Sequence, residues 1–337
     1  MTEKRYFAAA NTTNGFLSYY SEIFGKCKSV YIIKGGSGTG KSRFMRECAD
    51  YAIKQNEQAK LEYFYCSFDP DSLDGVIIND KLAVIDGTSP HIYEPTLAGA
   101  KENLVDFGAF WDVSKLQKNA DEIYKLSVEK KKHFASGYSY LGAYGRLDEI
   151  KRKYFTEHFD EKKALGFASK LITELNISDK GEDKLRIFSA FGKKGEIEYD
   201  TYAQNTERVI KIYDEYSSAD FIIEKLKSEA KRFSIPITIS YHPLFKNRLN
   251  GIKFGEALSV ISSGDRESSK LSADEYFASN SELKKINKMQ AELLDCAKTE
   301  LKNAFEVHLS VEKIYIDAMD FHKKEEFTAD FVSKNKI

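Results

Sequence analysis

The chain has 337 residues, 42% hydrophobic and 31% charged, a globular composition with room for two cored domains; a tail or a fibre is excluded. Its 51 basic and 52 acidic residues leave a net charge of −1, so the totals give no support for a nucleic-acid or membrane surface. No apolar run reaches membrane-helix length, MTEKRYFAAANT lacks a signal-peptide core, and the four cysteines (Cys27, Cys48, Cys66, Cys296) lack metal-ligand spacing, so a cytoplasmic protein with reduced thiols is expected.

In chain order, the first strong element covers residues 29 to 44. Val30, Tyr31, Ile32 and Ile33 have strand character, and Phe44, Met45, Cys48, Ala49 and Ala52 recur at the spacing of a buried helix face. Between them stands Gly35-x-x-x-x-Gly40-Lys41-Ser42, the Walker A spelling. In such a loop backbone N–H groups wrap a phosphate chain, a lysine reaches the terminal phosphates and a hydroxyl coordinates magnesium. Gly35, Gly36, Ser37, Gly38, Thr39, Gly40, Lys41, Ser42 and Arg43 are therefore the expected nucleotide-binding residues, with ATP and Mg2+ as cofactors. No guanine-reading Asn-Lys-x-Asp tetrapeptide occurs, which favours ATP over GTP.

A second strand is expected at 61 to 66, an acidic loop at 67 to 75 and a third strand at 81 to 86. Apolar residues closing on an acid make the expected Walker B segment, so Asp86 joins Ser42 as a magnesium ligand. Gly87 and Thr88 follow it where mechanical ATPases carry a glutamate, so a catalytic base has to come from elsewhere. Asp69, Asp71 and Asp74 are candidates for orienting water, holding a second ion or binding substrate, although Asp-Pro-Asp-Ser is also good turn chemistry. Lys41, Asp86, Asp69 and Asp71 form the expected catalytic set. His91 reads either as a phosphate sensor or proton-transfer group or as a structural loop residue.

Farther along, Ser114 and Gln117 suggest a capping box opening a helical hairpin that runs to about Leu175 and turns near Gly142 or Gly145. The lysine run 130 to 132 reads as a solvated helix face. A repeat then emerges. Phe7, Ala9, Gly15 and Tyr19 recur as Phe188, Ala190, Gly195 and Tyr199; Leu73-Asp74-Gly75-Val76 recurs as Leu249-Asn250-Gly251-Ile252, and Leu82-Ala83-Val84-Ile85 as Leu258-Ser259-Val260-Ile261. The spacing is 176 to 181 residues throughout. This predicts domains at 1–178 and 184–337 with a polar joint at 177 to 183. In the second copy the strand at 209 to 212 leads into Tyr213-Asp214-Glu215-Tyr216-Ser217-Ser218-Ala219-Asp220, placing Ala219 at the position of Lys41 and Ser262 at that of Asp86. A glycine-free acidic loop repels phosphate, so one nucleotide per chain is expected, with a scaffold or regulatory second half. Arg208, Arg248 and Arg266 are candidates to supply a charge across the interface. Apolar residues from Leu283 to Tyr315, with one gap at Gln290, predict a long amphipathic helix packed on the rest of the protein.

The glycine loop, the FAAANTTNG opening, the SFDPDSLDGV loop, the VIDGTSPH segment and the echo IFSAFGKKG together resemble a family of tandem P-loop ATPases of unassigned function, found mainly in Firmicutes. The resemblance covers essentially the whole chain. It implies ATP binding through residues 35 to 42, hydrolysis, two related domains and no known substrate. The expected fold is α/β, with duplicated P-loop NTPase-like cores of parallel sheets, each followed by a long helical segment. The leading expectation for function is a Mg-dependent ATPase coupled to an unidentified protein or small-molecule partner; a small-molecule kinase and a nucleotide-sensing module are the alternatives.

Overall fold

The computed structural model describes residues 3–175, 181–278 and 281–335; most of the joint expected at 177 to 183 lies outside them. The first half runs β1 (Lys4–Phe7), the hairpin β2 (Ala9–Thr12) and β3 (Gly15–Ser18), α1 (Tyr20–Ile23), β4 (Ser29–Lys34), α2 (Lys41–Gln55), β5 (Leu61–Tyr65), β6 (Leu73–Ile78), β7 (Leu82–Asp86), β8 (Glu102–Asp106), α3 (Val113–Lys118), α4 (Ala120–His158) and α5 (Glu161–Thr173). The second runs β9 (Lys184–Leu185), the hairpin β10 (Ser189–Gly192) and β11 (Gly195–Glu198), β12 (Arg208–Tyr213), α6 (Asp220–Arg232), β13 (Thr238–Tyr241), β14 (Leu249–Phe254), β15 (Leu258–Ser263), β16 (Leu271–Ser272), α7 (Glu282–Asp317) and α8 (Phe321–Lys334).

Each half builds a six-stranded sheet, and the orders β1-β5-β6-β7-β4-β8 and β9-β13-β14-β15-β12-β16 are the same path through the chain. Even the register slip at Phe64/Tyr65, where β5 meets β6, recurs at Ser240/Tyr241, where β13 meets β14. The sheets are mixed, which corrects the expectation of parallel ones. β6 runs antiparallel to β5 and β7, and β14 antiparallel to β13 and β15. The physical reason is connection length, because residues 79 to 81 are all that join β6 to β7 and a parallel crossover needs a dozen or more. Asn79 and Asp80 both take positive φ, as such a tight hairpin requires. Strand β6 itself was not foreseen, since Asp74-Gly75 reads as loop; Gly75 is there because a Cβ would stand 2.7 Å from the Phe24 ring.

Helices α4 and α7 lie antiparallel against each other. His133 pairs with Glu300 at 2.8 Å, Leu141 packs among Ala297 and Leu301, and Gln290, the gap in the apolar pattern, donates to the Tyr144 carbonyl at 3.1 Å. Helix α4 does not turn at Gly142 or Gly145, as the sequence suggested. Those residues let the helix slide past the β2–β3 hairpin, where a Cβ on Gly145 would come within 2.9 Å of Thr13. The chain reverses at Asp160, which caps α5 by accepting from the Lys163 N–H. Likewise Asp112, rather than Ser114, caps α3, and a separate helix begins at Ala120.

The cores do not follow the midpoint of the chain. Ala164, Ala168, Leu171 and Ile172 of α5 are buried with Ile222, Leu226 and Ile252 of the second half. Reciprocally, Phe327 and Phe331 of α8 pack on Phe44 and Phe107 of the first. The Asp160 N–H donates to the Tyr276 carbonyl at 2.8 Å and the Asp320 N–H to the Phe110 carbonyl at 2.9 Å, so both exchanged helices start from matching anchors. The buried ion pair of Glu62 and Arg186, 2.7 Å, also crosses between halves. Among the described residues no helix is long and apolar enough to cross a membrane.

Candidate functional site

Parallel pairing of β4 with β7 sets Ile33 beside Asp86, so the loop leaving β4 passes the carboxylate that ends the neighbouring strand. Lys41 opens α2. Its Nζ lies 3.5 Å from Asp86 Oδ2 and donates to the Gly36 carbonyl at 2.5 Å; the side chains of Lys41 and Asp86 are only 11% and 15% exposed. Thr88 ties the two strand ends together, its N–H donating to Asp86 Oδ1 at 2.8 Å and its hydroxyl to the Gly35 carbonyl at 2.8 Å. Ser42 Oγ accepts from the Leu73 N–H at 3.0 Å, and Thr39 donates to the Gly36 carbonyl at 2.9 Å. Among the described residues, no backbone or side-chain acceptor takes the N–H groups of Gly36, Ser37, Gly38 or Gly40, while Ser37 and Gly38 form a tight turn. A row of unpaired donors at a helix N-terminus beside a lysine favours an anion. Arg43 takes no part, being exposed and paired with Glu47 and Glu325.

Helix α7 crosses this loop. A Cβ on Gly36 would meet the Tyr315 ring at 2.8 Å, and one on Gly38 would meet Glu312 and Ile316 at 2.7 Å. Gly38 also has φ +68°, a left-handed conformation, so glycine is required there twice over. The helix brings Glu312 into the field of Lys41, Asp69 and Lys193; burial and Asp69 raise its carboxyl above the usual range. Gly87 explains the missing glutamate after Asp86: a Cβ in that position would stand 2.3 Å from Ile32.

The chain matches no family model, no curated protein and no solved structure. Its site is therefore read from its own geometry.

The acidic residues separate. Asp69 pairs with Lys193 at 2.6 Å and Asp71 with Lys194 at 3.2 Å, both lysines coming from the β10–β11 hairpin. The Asp69 pair is largely buried against the hairpin whereas the Asp71 pair is exposed, and neither aspartate forms an ion pair with Lys41. Asp74, grouped by the sequence with Asp69 and Asp71 as a candidate for water, a second ion or substrate, points inward from β6: burial and the nearby Asp86 push its carboxyl up to about 6, against the pull of His91 and Lys41. His91 is buried, stacked on Tyr20 at 5.4 Å and 3.5 Å from Asp74. The arginines expected to cross the interface are engaged elsewhere: Arg208 with Glu174, Arg248 with Asp148, and Arg266 over the Tyr213 ring. The cations that reach the acidic loop from the second half are the hairpin lysines instead, which no sequence motif marked.

In the second half the strand and helix starts, Arg208 and Asp220, stand 179 residues after Ser29 and Lys41. Asp220, not Ala219, thus occupies the place of Lys41, and Asp214 the place of Gly35. Asp214 turns its carboxylate into its own loop, accepting from the N–H groups of Ser218 and Ala219 at 2.8 and 2.9 Å and from the Ser262 hydroxyl at 3.2 Å. Asp220 pairs with Arg152 of α4 at 2.6 Å.

Proposed function

We propose that the first half binds the phosphate chain of ATP at residues 35 to 42 and hydrolyses it. The observation that carries this reading is the row of unpaired N–H groups at the start of α2, beside Lys41 and Asp86. Lys41 would exchange the Gly36 carbonyl for the terminal phosphates and stabilise charge on the transferred group. The Ser42 hydroxyl and the Asp86 carboxylate are hard oxygen donors that suit Mg2+, which supplies charge neutralisation between the β- and γ-phosphates. The twofold similarity of the sheets and the spaced sequence echoes support descent of both halves from one P-loop-like core. The test is Lys41→Ala, expected to cut ATP turnover by about 100-fold or more with an unchanged circular dichroism spectrum. Turnover at the original rate would overturn the assignment.

A sensing role has its own support. Asp69 and Asp71 are occupied by lysines, Gly87 admits no glutamate, and α7 lies directly on the loop. A ligand that reshapes residues 36 to 38 must shift the seating of Tyr315 and Ile316, which links occupancy to the second half. Quenched-flow measurement separates the readings: rapid phosphate release marks an ATPase, a phosphorylated small molecule a kinase, and retention of intact ATP a sensor.

A further inference from the structure

We propose that Cys66, Asp74 and His91 form a binding site for one borderline-soft divalent cation of the zinc type, beside the glycine loop. Three segments deliver the donors: the end of β5, the interior of β6 and the turn after β7. A sulfur, a carboxylate oxygen and a ring nitrogen lie within 4.8 Å of one another. Asp74 and His91 are only 3% and 7% exposed, and both Asp74 Oδ2 and His91 Nδ1 are buried without a hydrogen-bond partner. Buried polar atoms are almost always partnered, so two orphans in one cluster call for a missing one.

The donor set selects the ion. Calcium and magnesium take oxygen ligands only, whereas thiolate with imidazole and carboxylate suits zinc. Zinc bonds of about 2.0–2.3 Å place tetrahedral ligands roughly 3.3–3.7 Å apart, so the trio needs to close by about an ångström. Three protein ligands leave a fourth position for water or substrate. The backbone that carries the donors is anchored while their side chains close the gap: the Cys66 N–H donates to the Ser72 carbonyl at 3.0 Å and the His91 N–H to the Thr88 carbonyl at 2.8 Å, while Phe16 meets the imidazole edge-on at 5.1 Å. On binding, the thiol and any carboxyl proton leave to solvent, and His91 binds as neutral imidazole. The second half carries different donors in the same place, and there Asn250 Oδ1 also lies buried without a partner. His242 stands 176 residues after Cys66 and accepts from the Leu244 N–H at 3.1 Å; Asn250 stands at the position of Asp74 and donates to Ser189 at 2.7 Å.

The inference does not depend on nucleotide binding and is tested without it. The full chain is stripped with a chelator and titrated with Co2+, a spectroscopic stand-in for zinc. One equivalent is expected, with a thiolate-to-cobalt charge-transfer band that Zn2+ abolishes by displacement. Cys66→Ser should remove the band and Cys296→Ser retain it, while Asp74→Asn and His91→Ala weaken Co2+ binding at least tenfold with unchanged circular dichroism. Absence of the band in the unaltered chain, or its survival in Cys66→Ser, overturns the site. Should the variants misfold, the unaltered chain still decides: zinc must raise its Tm, and an unshifted Tm is equally fatal.

Discussion

The loops at residues 35 to 40 and 214 to 219 leave equivalent strands and enter equivalent helices, yet they satisfy their backbone donors in opposite ways. In the first the N–H groups of Gly36, Ser37, Gly38 and Gly40 find no acceptor among the described residues; in the second the carboxylate of Asp214 takes two of its loop's N–H groups. The charge that follows is reversed as well, Lys41 facing Asp86 in one and Asp220 facing Arg152 in the other. A strand–loop–helix corner therefore creates a demand for negative charge at the helix start, and the chain can supply that charge from outside or from its own side chain. Filling the corner from within leaves the strand order of the sheet unchanged.

The largest expected effect tests whether the two corners rest on exchanged helices. Phe331→Ala should destabilise the protein by about 3–5 kcal/mol in urea unfolding, because the ring packs on Phe44 and Tyr31 of the first half as well as on its helix neighbour Phe327. Ile172→Ala should cost about 2–5 kcal/mol through the second core, and a loss below 1 kcal/mol in either would detach that helix from the core assigned to it. Next, Asp214→Ala strands the N–H groups of Ser218 and Ala219 and should cost about 2 kcal/mol. An unchanged urea midpoint would mean that Asp214 does not hold the second loop.

A smaller effect separates the halves by pH. Burial, with Arg248 and Lys151 adding to it, lowers the His242 imidazole from 6.5 to about 3. The unfolded chain binds this proton below about pH 6.5 and the native chain does not, so stability is full above that pH and falls as pH drops towards 3. At pH 5 the loss should be about 1–2 kcal/mol, and His242→Cys, which copies the first half, should remove it. Parallel stability curves for the two proteins would refute the assignment. The smallest effect concerns Ser217, at the position of Gly38 and with φ +57°. Ser217→Gly relieves backbone strain but frees the unfolded chain, so its Tm should correspond to a change within about 0.5 kcal/mol. A larger gain would show that the second loop carries stored strain.

What could be read in the sequence was local in origin. The glycine loop, its strand and helix, and the apolar face of α7 are written in neighbouring residues, and the spaced echoes announced two similar cores. The antiparallel β6 was hidden because Asp74-Gly75 spells a turn, while the packing of Phe24 that demands Gly75 comes from elsewhere in the chain. Gly142 and Gly145 misled for the same reason, since their partner is Thr13. The acidic loop offered three equivalent aspartates, and only strand pairing distinguishes inward Asp74 from Asp69 and Asp71. Cys66 and His91 are separated by two strands, so no spacing rule marks them as neighbours. Without structural anchors at Ser29 and Arg208, the second loop was aligned one residue early.

The exchange of α5 and α8 sets an order for the growing polypeptide. A ribosome makes the first sheet early, but Phe327 and Phe331, which close over Phe44 and Phe107, emerge only after both sheets and both long helices. The second core, by contrast, already has α5 waiting when its strands appear. The half that is begun first is thus sealed last, and a nascent chain must keep the apolar side of α2 protected until residues 321 to 334 arrive.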